Sequence, residues 1–342
     1  MRMPRTVIFV LDLPLVSIVI PTRNSARTLP RCLQSLTMQA YPECKIELIV
    51  PEACSSDDTV AIAKAFGAMV VTNRLVTGEA GKALGARIAQ GEYILFIDSD
   101  NVLTSRDWLV KMLKPLLVDS SIVASEALYY GWDRSEPWII RYCALMGADD
   151  PLSVYLGFYG RFSLLKQRWS DIRLDLEERG SYLVTTLRDD ILPTMGANGF
   201  LIRADVLRLV NDSSYLFDVD LAHKLVRLGY KRIARVKVSV THLYAFSFTQ
   251  YIRKAYRRIR DYYLFRKLGV RLYEWHHFDR LKLAKLLLGV ALLFPLFKDA
   301  VRGYRRKPDT AWFLNWPLCF FTIVVYGIKE IFLGFDLLRR IW

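Results

Sequence analysis

Cysteine and histidine are scarce in this chain of 342 residues. Cys32, Cys44, Cys54, Cys143 and Cys319 form no CxxC pair and keep no regular spacing. That excludes a disulfide framework and reads as reduced thiols in a cytosol-facing protein. Of four histidines only His276 and His277 are neighbours, which excludes a histidine-rich zinc cage. A cleavable leader is not expected either. Arg2 and Arg5 precede an apolar run at 7–10, but Asp12 and Pro14 interrupt it and no small-residue cleavage site follows, so the run reads as strand material. Long apolar stretches are few, which excludes a many-span transporter, while 53% hydrophobic and 24% charged residues exclude a disordered chain.

What the chain does have is positive charge, unevenly placed. Lys and Arg number 48 against 34 Asp and Glu, a net +14. Residues 250–307 hold sixteen basic and four acidic residues, so twelve of those fourteen charges lie there. A nearly neutral front is followed by a basic, apolar back, in a length that suits one large domain with an appendage.

The front alternates short β-rich runs with helical spacing. Strands are expected at 16–20, 46–50, 68–72 and 93–97, and helices at 25–40, 59–66 and 82–89. Strands separated by helices of this length imply βαβ units and a mostly parallel sheet, with ligands outside the carboxyl ends of the strands. The polar clusters at 21–24, 52–58 and 98–101 all fall at such ends and define one site. Residues 120–195 carry no clean period. Regular signals return at 196–210, at 217–228 (helical) and at 233–240 (strand).

Residues 249–267 have helical spacing, with Tyr251, Ala255, Ile259, Tyr262 and Tyr263 among Arg253, Lys254, Arg257, Arg258 and Arg260. A basic amphipathic helix of this kind suits an anionic membrane surface, or else nucleic acid. The eighteen uncharged residues 311–328 favour the membrane, being long enough for a transmembrane helix, and leave nucleic acid without a role. Residues 281–297 are a second apolar segment, marginal in length because Lys282 and Lys285 must snorkel. If both crossed, the basic loop from Lys298 to Lys307 would land outside, against the positive-inside tendency, so a re-entrant first segment stays open.

Asp98-Ser99-Asp100 closes an apolar strand, and carboxylates at i and i+2 there can reach one hard cation. Mg2+ or Mn2+ held in this way keeps positions for diphosphate oxygens. With Val16-Ser-Ile-Val-Ile-Pro-Thr-Arg-Asn24, Ser55-Ser-Asp-Asp-Thr59, Gly91 to Asp100, Gly196-Ala-Asn-Gly199, and Phe217-Asp-Val-Asp-Leu221 followed by Gly229-Tyr230, this order of motifs resembles family 2 glycosyltransferases of the GT-A fold. The resemblance implies a Rossmann-like α/β GT-A catalytic domain over 1–245. Basic amphipathic interface helices are expected at 246–280, and a C-terminal membrane domain of transmembrane helices at 281–342.

The resemblance also implies residue roles. Pro21, Thr22, Arg23, Asn24, Glu52 and Asp57 would cradle the base and ribose, with Glu52 standing where the family usually has Asp. Asp98 and Ser99 would face the ribose or sugar. Asp100, with Asp98, would bind the metal, His242 would be a further metal ligand, and Lys82 would neutralise phosphate. Asp218 aligns with the family's general base, with Phe217 in place of the usual Glu, and Asp220 is its rival. Asn198 and a short match to the QxxRW motif of cellulose-synthase-like enzymes, Gln250 to Arg253 with Arg257 beyond, would bind the acceptor. Lys254 replaces that motif's Trp, which argues against processive polymerisation.

The implied activity is an inverting, metal-dependent transfer of a hexose from a nucleotide diphosphate sugar, GDP-mannose before UDP-glucose, to a polyprenyl- or dolichyl-linked acceptor. A polyprenyl-phosphate hexose synthase is the alternative. A non-catalytic binding protein is disfavoured by Asp98, Asp100, Asp218 and His242 occurring together. The protein is expected to be integral to the membrane, with its catalytic domain on the cytoplasmic face.

Overall fold

The computed structural model describes residues 13–273 and 279–338, with side chains as far as residue 328. The run at 7–10 and the pair His276 and His277 lie outside the described residues. The strands are β1 (Val16–Val19), β2 (Ile46–Glu52), β3 (Met69–Thr72), β4 (Tyr93–Phe96), β5 (Asn101–Leu103), β6 (Ile122–Tyr130), β7 (Asp175–Arg179), β8 (Tyr182–Thr186), β9 (Phe200–Arg203) and β10 (Arg232–His242). The helices are α1 (Leu29–Thr37), α2 (Thr59–Ala65), α3 (Gly78–Ile88), α4 (Trp108–Val118), α5 (Trp138–Met146), α6 (Pro151–Leu156), α7 (Ala204–Arg208), α8 (Asp218–Arg227), α9 (Phe248–Lys267), α10 (Arg280–Leu292), α11 (Phe294–Arg306) and α12 (Asn315–Leu338).

All ten strands share one sheet, ordered β3-β2-β1-β4-β9-β6-β10-β8-β7, with β5 paired to β10. From β3 to β10 the strands run parallel except β9, which is antiparallel to both β4 and β6. The chain winds from β1 out to β2 and β3, then returns to β4 on the other side of β1. The ends of β1 and β4 therefore flank the crevice where such sheets bind ligands. The period of the sequence dictates the layers. Leu29, Cys32, Leu33 and Leu36 recur at helical spacing and bury one face of α1 against the sheet, joined by Ala63 of α2 and Trp108, Leu109 and Met112 of α4. The opposite face is covered by Ala83 and Ala86 of α3, Val206 and Leu207 of α7, and Leu221, Ala222 and Leu225 of α8.

Inside this sandwich lies a charge cluster. Glu126, midway along β6 and 2% exposed, forms ion pairs with Arg161, at 3.3 Å, and with Arg235 of β10, which is fully buried. Glu126 also accepts the Gly196 amide at 3.1 Å, while Arg161 donates to the carbonyls of Ala197 and Asn198, both at 2.8 Å. Arg235 donates to the Gly160 carbonyl at 3.1 Å and lies 4.5 Å from the Trp169 ring. The segment without a readable period is thus held by buried charge.

The C-terminal helices belong to the same body. Tyr142, Cys143, Leu145 and Met146 of α5 share a core with Tyr251 of α9, Ala300 of α11, and Trp312 and Leu318. A methyl on Gly303 would come within 2.4 Å of the Trp312 ring, so helix and indole touch only because this residue is glycine. The expected apolar segment at 281–297 is not one helix. It breaks at Leu293 (φ 60°, ψ −45°) between α10 and α11. The 13 residues of α10 reach only about 20 Å at 1.5 Å per residue, short of a hydrocarbon core of about 30 Å. Among the described residues one helical stretch, Thr310–Ile328, is long and apolar enough to cross a membrane, and a third of it is buried against the rest of the protein. The expected plural transmembrane helices are thus reduced to one candidate.

Removing Glu126 while leaving two buried guanidinium groups exposes an uncompensated charge. Glu126→Ala is expected to lower unfolding free energy by about 3–5 kcal/mol, read from urea denaturation followed by tryptophan fluorescence.

Candidate active site

Four loops meet at the carboxyl ends of β1, β2, β4 and β10. At the floor, Pro21 to Asn24 and the turn at 52–57 are laced together. The Asn24 amide donates to Ser55 Oγ at 2.8 Å and its Oδ1 accepts the Ser56 amide at 2.9 Å. Asn24 holds a left-handed conformation (φ 48°), which asparagine tolerates better than most residues. Asp57 accepts the Ala26 amide at 3.0 Å and the Thr59 amide at 3.1 Å. What little burial Asp57 has works against its charge, yet the Thr59 hydroxyl and these amides hold its carboxyl below the usual range. Glu52 is buried and accepts the amides of Cys54 and Ser55 at 3.1 and 2.5 Å, so its carboxylate closes this turn. Thr22 leaves a buried hydroxyl with no partner, a free polar atom in the floor of the cleft. Arg23 is exposed.

The acidic triplet forms a tight turn. The Asp98 amide donates to Asn101 Oδ1 at 3.0 Å, the Asn101 amide returns to the Asp98 carbonyl at 2.9 Å, and Ser99 Oγ meets Ser25 Oγ at 2.9 Å. Antiparallel pairing of β5 with β10 sets His242 opposite Asn101, which brings a histidine from the far end of the chain to the triplet. Its Nε2 lies 3.2 Å from Asp100 Oδ1 and its Nδ1 lies 3.0 Å from Asp149 Oδ1. The other Asp100 oxygen is 2.9 Å from Lys254 Nζ of α9. Burial opposes charge on His242, but Asp149 and Asp100 outweigh it and push its value up to about 10. Burial likewise opposes the Asp100 charge, and His242 and Lys254 overcome it, holding that carboxyl far below its ordinary value.

These groups suit a divalent ion. A carboxylate and an imidazole nitrogen 3.2 Å apart have the spacing of neighbouring ligands on one octahedral ion. A carboxylate behind the other ring nitrogen is the usual device for orienting a metal-bound histidine. Among the described residues no three His, Cys, Asp or Glu side chains converge on one point, so the protein would supply few ligands and diphosphate oxygens the others. Asp98 also acts on the other charged pair of the cleft. It lies within electrostatic reach of Lys82 and Asp218.

Asp218 is the first residue of α8, whose cap is Phe217, and its Oδ1 lies 2.6 Å from Lys82 Nζ of α3. The Lys82 side chain is 8% exposed and that of Asp218 30%, so the carboxylate opens on the cleft while the ammonium is its buried partner. Burial raises the Asp218 carboxyl to about 6, against the pull of Lys82. Lys82 is held above its ordinary range, since the carboxylates of Asp218 and Asp98 outweigh the cost of burial. Gly196, at φ +94°, lets the loop from β8 to β9 pass the Asp218 backbone, where a methyl would come within 2.8 Å of the Asp218 Cβ. Asp220, by contrast, accepts the amides of Leu272 and Tyr273 at 2.9 and 3.2 Å and secures the chain after α9.

The proposed acceptor residues divide. Asn198 stands in the site, its Oδ1 accepting from Asn101 Nδ2 at 2.9 Å and its Nδ2 donating to Tyr130 Oη at 3.0 Å. Tyr130 in turn donates to Asp149 at 3.2 Å. Gln250 is used locally: its Oε1 accepts the Phe246 amide at 2.9 Å, while Ser247 Oγ accepts the Gln250 amide at 3.2 Å. That is a helix-capping exchange. Arg253 and Arg257 are exposed, while Lys254 and Arg258 of α9 pair with Asp100 and Asp150. Sequence reasoning missed Asp149, Lys254 and the Glu126 cluster. A single Glu within an otherwise apolar β6, and an Arg within β10, were the available signals for the last, because a charge on a buried strand requires a partner.

Residues 17–181 match the family described as Glycosyl transferase family 2. The chain is 26% identical over 180 residues to the poly(ribitol-phosphate) beta-N-acetylglucosaminyltransferase TarS of Staphylococcus aureus (strain MW2), covering 51% of this chain and 28% of that protein. It is 37% identical over 97 residues to the poly(ribitol-phosphate) beta-glucosyltransferase of Bacillus spizizenii, covering 26% of this chain and 15% of that one. The chain thus spans less than a third of the length of these curated relatives. Among solved structures, mannosyltransferase PcManGT from Pyrobaculum calidifontis, in complex with GDP-Man and Mn2+, shares the fold. Its TM-score is 0.52 at 16% identity, over 93% of this chain and 87% of that one. The ordered motifs and the cleft they form lie in and beside this match, so residues 17–181 resemble a family 2 glycosyltransferase domain.

Proposed function

We propose that the protein is an inverting, metal-dependent hexosyltransferase that moves a sugar from a nucleotide diphosphate donor to a polyprenyl- or dolichyl-linked acceptor at a membrane. The observation that carries this reading is the Asp218 carboxylate, open to the cleft, paired with Lys82 at 2.6 Å and raised to about 6. A sugar hydroxyl is a poor nucleophile, and a carboxylate with a value near the working pH is suited to take its proton. Lys82 holds one oxygen of Asp218 and orients the other. Asp100 and His242 would hold Mn2+ or Mg2+, whose charge stabilises the departing diphosphate. Pro21 to Asn24 and the Glu52 turn would receive the nucleoside, with the free Thr22 hydroxyl available to it.

GDP-mannose is the first donor to test, since the similarly folded P. calidifontis mannosyltransferase was solved with GDP-Man and Mn2+. The glucosyl and N-acetylglucosaminyl transferases among the relatives make UDP-sugars the next. The membrane reading rests on Thr310–Ile328 and on apolar side chains left in solvent around the break at Leu293, where Leu292, Leu293 and Phe294 are 60%, 48% and 67% exposed. Basic residues on the same helices, Lys285, Lys298 and Arg302 among them, match anionic headgroups. The catalytic domain would then face the cytoplasm. A polyprenyl-phosphate acceptor is the second reading. An anionic acceptor requires no base, and Asp218 would then serve only as the partner of Lys82.

The test is release of nucleoside diphosphate by detergent-purified protein with Mn2+. Donors are GDP-mannose, UDP-glucose and UDP-N-acetylglucosamine, each alone, with polyprenyl phosphate, or with a polyprenyl-linked sugar. Stimulation by the lipid-linked sugar, lost in Asp218→Asn while donor affinity persists, supports the first reading. Stimulation by polyprenyl phosphate that survives Asp218→Asn supports the second. Absence of nucleotide binding refutes both.

The pH profile carries its own expectation. A base must be ionised to act, so kcat/KM should rise with pH through about 6, the value of the Asp218 carboxyl. Removing the ammonium that favours the carboxylate must raise that value, so Lys82→Met should move the acidic limb to higher pH. A limb that stays in place or moves down contradicts the assignment.

A further inference from the structure

Lys254 sits where the cellulose-synthase-like motif has Trp, and its role differs from anything that motif implies. It lies in the second turn of α9, and the inward face of that helix is fixed. Tyr251 and Ala255 are each 1% exposed, and Tyr251 Oη meets Thr322 Oγ1 of α12 at 2.7 Å. Arg258, one turn on, reaches Asp150 at 3.2 Å and Tyr244 Oη at 3.1 Å. The backbone of Lys254 is therefore held in place, while its side chain, 19% exposed, extends to Asp100 Oδ2 at 2.9 Å. Its ammonium also lies 4.6 Å from the centroid of the Tyr244 ring. The other Asp100 oxygen faces His242 Nε2 at 3.2 Å, so cationic or donor groups occupy both oxygens of the carboxylate assigned to the metal.

We propose that Lys254 is a tethered cation that makes metal binding conditional on the donor diphosphate. This rests on the reading of Asp100 as a metal ligand. A divalent ion at Asp100 Oδ1 and His242 Nε2 would repel the ammonium held on the other oxygen of the same carboxylate, and would draw off the negative charge that holds it, so the metal drives Nζ away. Metal alone offers the displaced ammonium no new anion. Metal with a diphosphate does, since the flexible four-carbon stem lets Nζ move from the carboxylate to a phosphoryl oxygen. Metal and nucleotide then bind with positive coupling, and by linkage each strengthens the other equally. A Trp at this position could not do this, having neither charge nor reach to exchange.

The experiment is Mn2+ titration of full-length detergent-purified protein, with free Mn2+ read by electron paramagnetic resonance, alone and with GDP or UDP. Wild type, Lys254→Met and Lys254→Arg are compared. A charge-assisted hydrogen bond that metal must break corresponds to a factor of about ten or more. Lys254→Met should therefore bind Mn2+ about tenfold more tightly without nucleotide and gain less from it, while Lys254→Arg keeps the wild-type pattern. Unchanged Mn2+ affinity and coupling in Lys254→Met overturn the proposal, as does weakened Mn2+ binding, which marks a merely structural contact. Wild type that binds no Mn2+ even with either nucleotide refutes the metal reading itself, and this proposal with it.

Discussion

A carboxylate buried between two guanidinium groups holds the catalytic half of this protein together. Glu126 on β6 joins Arg235 on the neighbouring strand β10 to Arg161 in the long connection that precedes β7. Further hydrogen bonds of that cluster go to backbone at Gly160 and at 196–198. Those contacts set the loop that carries Asn198 and passes against Asp218. Buried ion pairs are poor sources of net stability, because desolvation offsets most of the attraction. Their use here is positional: three charges that must find one another allow few alternative arrangements of a segment with little regular structure of its own.

The cleft above the cluster repeats the same economy of charge. Acidic groups contributed by β4, α8 and the segment between α5 and α6 are matched by cations from α3, α9 and β10. Asp218 answers to Lys82, and Asp100 to His242 and Lys254, with Asp149 behind the histidine. Asp98 stands between the two sets, felt by Lys82 and by Asp218. Such a site is preorganised for ligands that bring both signs of charge at once, which a metal–diphosphate complex does.

The helices after the sheet are part of this arrangement and not a detached anchor. Trp312, fully buried, seats against Gly303, and Asn315 receives the Tyr142 hydroxyl at 2.8 Å while donating to Tyr155 at 2.7 Å. Further along α12, Tyr326 reaches Asp150 at 2.6 Å, next in sequence to the carboxylate that orients His242. A polar stripe on an otherwise apolar helix thus docks it to the domain.

Much of the fold was legible because it is written in local period. Alternating strands and amphipathic helices over the first hundred residues determine a parallel sheet, and the triplet at a strand end marks its ligand edge. Asp98, Asp100, Asp218 and His242 were singled out through the resemblance of their motifs, and the fold brings them to one cleft. What remained hidden depends on contacts between residues distant along the chain, which no local pattern encodes. Gln250 looked like a motif residue and is a helix cap, while Lys254 looked like a missing Trp and reaches the triplet. The apolar run at 281–297 suggested a crossing, but a single residue in an unfavourable backbone conformation divides it into two short helices. Composition and spacing by themselves determined the sheet, its active edge and the basic, apolar tail. Only the tertiary structure decided which cation meets which carboxylate, because burial makes each such charge depend on the particular partner that the fold brings to it.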